Sequence, residues 1–358
     1  MAACSSGSSD SSASAQPSAA PQSAASNASG PSGEASSVSP VQEALDATVE
    51  RYGFEGLLYI EKNGETVASM AIGNSESGTP YQPDVPMPVG SMSKQFCSAA
   101  VLLLQEQGKL SLDDTLAVYF PEYETGSAIT LRQMLSMRSG VPNYNFGPIA
   151  GVTDDETEEH NTKLILEEIF RQPLTQKPDQ GFLYSNGGCL LLANIVEQVS
   201  GQKYIDFLRE HFFTPLGMTY TGDIQEMRAG AAWAGGASYQ RIDLAPGYTK
   251  GTGDLLTTGD DVARWIKGLQ SGKVLSRESY QMMITNYSPG ADQGYGYGFY
   301  VPMVDALGHP GAIGSYVAAD YFVEKNGLIV FFSTDTVGLG SYPNLIRDLV
   351  KDVETAAS

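Results

Sequence analysis

Cysteine, histidine, tryptophan and positive charge are all scarce in this chain of 358 residues. Its three cysteines, Cys4, Cys97 and Cys189, show no CxxC spacing and do not make a disulfide framework. Cys97 and Cys189 fall in apolar helical stretches, where a thiol acts as a small hydrophobe. The three histidines, His160, His211 and His309, lie far apart and none sits in an HExxH pattern, so no zinc site and no cofactor is expected. Lys and Arg total 21 against 41 Asp and Glu, a net charge of −20. That excess argues against nucleic acid or an anionic lipid surface as partner and leaves a small molecule or peptide. No uninterrupted apolar run approaches the length of a membrane span.

What the opening does have is Ser, Ala, Gly, Pro and Asn. Residues 1–38 carry Asp10 and Glu34 as their only charges and cannot bury enough apolar surface to offset ordering, so they read as a flexible tether. Met1-Ala2-Ala3-Cys4 ahead of a serine-rich spacer resembles the processing site of a bacterial lipoprotein, without the apolar h-region. Cys4 is therefore a lipidation candidate, the one route to a membrane, and the expected location is extracytoplasmic. The remainder, 39–358, reads as one domain and as a monomer.

Taken in order, Ser39-Pro40 opens an amphipathic helix to about Tyr52. Two β-rich runs, 54–60 and 66–72, meet across Asn63-Gly64, a hairpin signal. From 108 to 290 the pattern is mostly helical: Thr130 caps one helix, and 164–170, 188–199, 204–213 and 258–269 repeat apolar positions three or four apart. The stretch 225–246 has no clear period. Strands return at 295–301, 314–323 and 328–334, with 308–312 read as a turn, and 342–353 is a closing helix. These elements predict an α+β fold. One antiparallel sheet is built from both chain ends (about 39–107 and 291–358), flanked by terminal helices, with a mostly helical insertion (about 108–290).

Gly90-Ser91-Met92-Ser93-Lys94 opens a helix that is apolar on every side. Serine and lysine three apart share one face of the first turn, where free N–H groups and the helix dipole surround the serine oxygen. A serine hydroxyl needs a base, and a lysine serves only as the neutral amine, which burial favours. Ser200-Gly201-Gln202-Lys203 fits the same loose pattern, so position has to separate the two.

Tyr184-Ser185-Asn186 enters the 188–199 helix: a phenol can relay a proton, and an amide can hold a substrate carbonyl and orient the lysine. Tyr342-Pro343-Asn344 repeats that pattern elsewhere. Gly308-His309-Pro310-Gly311-Ala312 precedes an extended run; its glycines, Gly311 included, would let substrate lie along an edge strand. Ala312 N–H paired with Ser91 N–H could form an oxyanion hole, and His309 could present a cationic or donor face beside it.

Serine-x-x-lysine, tyrosine-x-asparagine and histidine-x-glycine in this order resemble the serine hydrolases that include class C β-lactamases, D-alanyl-D-alanine carboxypeptidases and β-lactamase-fold esterases and D-aminopeptidases. The likeness runs from about Val41 to Val350 and includes Gly108-Lys109-Leu110-Ser111-Leu112-Asp113-Asp114, Ser139-Gly140-Val141-Pro142 and Gly294-Tyr295-Gly296-Tyr297-Gly298. It implies that Ser91 is acylated, that Lys94 and Tyr184 share the proton traffic, and that Asn186, His309, Gly311 and Ala312 line the substrate site. Family members acting on penicillins or D-alanyl termini commonly carry threonine where this chain has Pro310, which has neither hydroxyl nor N–H. The resemblance thus implies a penicillin-binding-protein-like hydrolase of D-amino-acid peptides at the envelope. A carboxylesterase is the alternative, with a β-lactamase or a non-catalytic binding module as further readings.

Overall fold

The Ser39 hydroxyl accepts from the Gln42 N–H (3.2 Å), Pro40 follows at the first helical position, and Gly53 in the left-handed region ends helix α1 (Pro40–Tyr52). The structure, a computed structural model, describes residues 39–75, 78–144, 148–231, 244–289 and 294–356. The tether and Cys4 lie outside the described residues. The chain divides into Met1–Val38 and Ser39–Ser358, and the account below concerns the second unit.

Strands β1 (Gly56–Lys62) and β2 (Glu65–Ile72) form the expected hairpin, with Asn63 (φ 54°) and Gly64 (φ 83°) both at positive φ. A two-residue strand β3 (Met87–Pro88) leads through a 3₁₀ turn (Gly90–Met92) into α2 (Ser93–Glu106). The helical part follows with α3 (Leu131–Leu135), α4 (Glu158–Arg171), α5 (Asn186–Ser200), α6 (Tyr204–Leu208), α7 (Thr214–Leu216), β4 (Gly222–Asp223), α8 (Ile224–Arg228), β5 (Leu255–Thr257), α9 (Gly259–Gln270) and α10 (Arg277–Met283). The chain closes with β6 (Tyr300–Met303), β7 (Ala306–Ile313), β8 (Tyr316–Val323), β9 (Leu328–Thr334) and α11 (Tyr342–Ala356).

Six strands pair antiparallel in the order β2-β1-β9-β8-β7-β6, so both chain ends build the sheet as expected. Alternation along the central strands divides their side chains between two cores. Leu57, Tyr59, Ile329 and Phe331 join the core around α2, α5 and α9, while Leu58, Ile60, Val330 and Phe332 face α1 and α11. A strand buried on both faces reads as an unbroken apolar run, which is the texture of β9. The terminal helices are tied by Thr48 donating to Asp352 (2.6 Å) and Tyr52 to Asp348 (2.8 Å).

Three departures from the sequence reading matter. Residues 308–312 are not a turn but part of β7, paired throughout with β8. The stretch 204–213 is not one α-helix: Arg209–Phe213 forms a π-helical turn after α6. A second sheet, β3-β5-β4, has strands too short to show any period. Of the aperiodic stretch 225–246, α8 and its flanks are seen, and 232–243 lies outside the described residues.

Candidate active site

Ser91 is held by what surrounds its turn. Val89 N–H donates to Leu255 O (3.1 Å), Leu255 N–H to Ser93 Oγ (3.1 Å), and Ser93 Oγ–H to Gly90 O (2.8 Å), while Ser333 Oγ–H on β9 holds Pro88 O (2.8 Å). Both sheets therefore grip the four residues around the serine. Ser91 lies in the 3₁₀ turn before α2 rather than as a simple N-cap, half-buried, with the fully buried Lys94 one turn on.

Lys94 Nζ is 3.1 Å from Ser91 Oγ and 2.6 Å from the Thr252 carbonyl, to which it donates. It also lies 4.9 Å from the centre of the Tyr184 ring. Burial pulls the ammonium down to about 8, with Asp254 among the groups opposing that shift. Burial raises the Tyr184 phenol well above the ordinary value, against the opposing pull of Ser91. At neutral pH the tyrosine is a phenol, and of the two the lysine is the one whose neutral base is within reach. The rival serine–lysine pair is not equivalent: Ser200 ends α5, and the backbone N–H of Tyr204 after Lys203 is spent on Glu197 (2.8 Å). Tyr342 and Asn344 lie in the first turn of α11.

Ser185, not Asn186, caps α5, accepting from Gly188 N–H (3.0 Å). Asn186 N–H donates to Asn143 Oδ1 (2.9 Å), and Asn186 Oδ1 is buried without a hydrogen-bond partner. The expectation that Asn186 orients the lysine is replaced by the Thr252 carbonyl, a backbone group that no side-chain motif announces.

The third segment crosses directly behind Ser91. A Cβ on Gly311 would stand 1.9 Å from Val89 O and 2.8 Å from Ser91 N, and one on Gly90 would stand 2.7 Å from Ala312 N. Gly90 also sits at φ +51°, in the left-handed region. The two-residue turn Gly314-Ser315 makes Ile313 and Tyr316 a hydrogen-bonded pair, so alternate residues of β7 turn their N–H groups to opposite edges. His309, Gly311 and Ile313 face β8; Ala312 N–H faces the serine. Pro310 falls on the edge where no ladder donor is required, which is why the strand tolerates it.

Of the two roles open to His309, a cationic or a donor face, burial disfavours the cationic one. His309 is buried, and burial first, then Lys94, pull its imidazolium down to about 3, so it is neutral and presents no cationic face. Its Nδ1 lies 2.6 Å from Pro310 O and must carry the proton there, leaving Nε2 to accept from Tyr295 O–H at 3.2 Å. The ring centre is 6.1 Å from that of Tyr184. Tyr295 belongs to a stretch singled out in the sequence, but its role as partner of His309 was not legible. Cys97 and Cys189 are free, buried, and held protonated by burial beside Lys94.

Comparison with known proteins bears on the family and the fold. A family model described as Beta-lactamase matches residues 41–353. The chain is 28% identical over 312 residues to a putative penicillin-binding protein, PbpX, of Bacillus subtilis, covering 84% of this chain and 76% of that one. It is 23% identical to a teichoic acid D-alanine hydrolase of Staphylococcus aureus, covering 88% and 79%. Among solved structures, the D-amino acid amidase of Ochrobactrum anthropi superposes with a TM-score of 0.74 and 0.73 at 22% identity in two of its complexes, the first of which is matched over 89% of this chain and 98% of that one. With most of its length matched by that family model, and with the fold those structures share, the chain belongs to the Beta-lactamase family of hydrolases.

Proposed function

We propose that this protein is a penicillin-binding-protein-like serine hydrolase that cleaves amides or esters of D-amino acids at the cell envelope through an acyl-enzyme on Ser91. The observation that carries the reading is the contact of Ser91 Oγ with an amine that burial has brought close to neutrality. Ser91 Oγ attacks the substrate carbonyl carbon while Lys94 takes the hydroxyl proton. The carbonyl oxygen gains negative charge between the N–H groups of Ser91 and Ala312, a device worth about 3–4 kcal/mol of barrier. As the carbonyl re-forms, the bond to the leaving group breaks and the proton passes to that group through Tyr184. Water then attacks the acyl-serine by the reverse route. Asn186, with an unpartnered buried oxygen, receives a substrate N–H.

The acyl half is supported by the relatives, which include a teichoic acid D-alanine hydrolase and a D-amino acid amidase. The leaving half is read from β7. A carboxypeptidase must hold a free carboxylate, yet His309 is neutral and Pro310 has no hydroxyl. This favours a leaving group without a carboxylate, as in a D-aminoacyl ester or primary amide, and keeps the esterase reading alongside the amidase one. An extracytoplasmic location, with Cys4 as anchor, fits such substrates.

Turnover of a D-amino acid amide, a p-nitrophenyl ester, a D-Ala-D-Ala peptide and nitrocefin, with Ser91→Ala as control, tests the proposal. The amide or the ester should turn over with wild type only, well ahead of the other two. Preference for the D-Ala-D-Ala peptide would overturn the leaving-group argument, and turnover by Ser91→Ala would overturn the mechanism.

A further inference from the structure

Behind the site lies a buried polar chain that the mechanism does not use. Asp320 on β8 is fully buried and takes part in no ion pair among the described residues. Gln95 Nε2 donates to both its oxygens (2.9 and 2.8 Å), and His309 N–H donates to Oδ1 (2.7 Å). On its other side Gln95 Oε1 accepts from Trp265 Nε1–H on α9 (2.9 Å). An indole is a donor only, so Trp265 fixes which way the Gln95 amide points and commits its NH₂ to Asp320. Gln95 is the residue after Lys94; His309 is three before Ala312.

A buried carboxylate supported by neutral donors alone is unfavourable beside an apolar residue of similar size, so packing does not explain it. Hydrogen bonds to a charged acceptor are about twice as strong as neutral ones and more demanding of geometry. We propose that Asp320 is a positioning residue which, through Gln95 and Trp265, clamps the helix carrying Lys94 to the strand carrying Ala312, and so holds the nucleophile in register with its oxyanion donors. This rests on the reading of Ser91 as nucleophile. Burial raises the Asp320 carboxyl to about 6, and the bonds from Gln95 and His309 oppose that rise.

The test exchanges the polarity of the chain. In Asp320→Asn one amide donor must face another, and Gln95 cannot turn round without orphaning the Trp265 indole. In Gln95→Glu two carboxylates face each other. In the double variant the carboxylate introduced by Gln95→Glu accepts from both Trp265 and the amide introduced by Asp320→Asn, whose oxygen accepts His309 N–H, so every group is paired and the charge is unchanged. Phosphonylation of Ser91 by a fluorophosphonate, with loss of fluoride, should slow by about tenfold to a hundredfold in each single variant. Half-saturation should change little, and the double variant should return to within about threefold of wild type.

A double variant as slow as the product of the singles, or Asp320→Asn reacting at the wild-type rate, overturns the clamp. Should the singles not fold, the double still decides: folded and reactive it supports the clamp, unfolded it overturns it. A wild type that nothing acylates would count against the Ser91 reading instead. The Trp265 indole N–H resonance then decides for the linkage, upheld if it moves in Asp320→Asn and returns in the double variant, and refuted if it does not move.

Discussion

Lys94 Nζ stands 2.6 Å from the carbonyl oxygen of Thr252, a residue 158 positions further along the chain. That carbonyl belongs to a tight turn in which Thr252 and Gly253 N–H both donate to Thr249 O (2.9 and 3.0 Å) and Gly251 N–H donates to Asp254 (3.2 Å). One amine hydrogen is thus anchored to a rigid acceptor, which leaves the amine facing Ser91 Oγ. The geometry suits the base that the proposed mechanism requires, held in place before substrate arrives.

Replacing Lys94 by Ala should slow acylation about 10²–10⁴-fold, the usual worth of general-base assistance. Circular dichroism should show the fold intact, because the removed group is one whose burial is itself unfavourable. Stopped-flow labelling with an activated ester measures the rate, and an unchanged rate would remove Lys94 from the mechanism.

The pH profile carries the sign of the Lys94 shift. With the ammonium lowered to about 8, the base form is the minority at pH 6 and the majority at pH 9. Acylation kcat/KM should rise about tenfold per unit through pH 6–7 and level off above about 8. A profile flat from pH 6 to 9, or one still climbing at pH 10, would contradict the assignment.

Gly311→Ala tests the crossing of β7 behind the serine. Its Cβ would lie 1.9 Å from Val89 O, a backbone atom that no rotamer can move aside. The strand or the Ser91 turn has to shift, so the two oxyanion donors separate. We expect kcat to fall about 10²–10³-fold, as for loss of one such donor. KM should move far less, measured on the ester substrate. Gly340→Ala, where an added Cβ meets nothing within 4 Å and the backbone is not left-handed, serves as the comparison.

His309 is neutral in the folded protein, with its pKa lowered to about 3 from 6.5. Below pH 6.5 the unfolded chain binds a proton at this ring and the folded one does not, so acid removes stability from wild type until about pH 3. The stability advantage of wild type over His309→Gln should therefore shrink as pH falls from 7 to 4, by up to about 1.4 kcal/mol per unit. Urea melts of the two proteins at each pH give the difference directly. A growing advantage would mean a charged imidazole.

The parts of this site that the sequence made legible are those in which a local motif meets a local structural signal. Ser91 and Lys94 share a helix start, and Tyr184 and Asn186 flank the cap of α5, so side-chain type and position could be read together. His309 to Ala312 were misread as a turn because Gly308, Pro310 and Gly311 are poor strand formers. Pairing with β8 and contact with Val89, both tertiary, override that tendency. The charge on His309 could not be read, since it depends on burial. The Thr252 carbonyl and the Gln95–Asp320 pair, 225 positions apart, join backbone and side chains that only the folded chain brings together.

In the proposed mechanism a single hydroxyl, that of Ser91, takes the acyl group. Intact-protein mass spectrometry after brief exposure to an acyl donor such as a p-nitrophenyl D-aminoacyl ester, followed by peptide mapping, tests it most directly. One adduct of acyl mass on the peptide containing Ser91, absent from Ser91→Ala and lengthened in lifetime when water attack is slowed, is the predicted result. An adduct on another residue, or one that persists in Ser91→Ala, would contradict it.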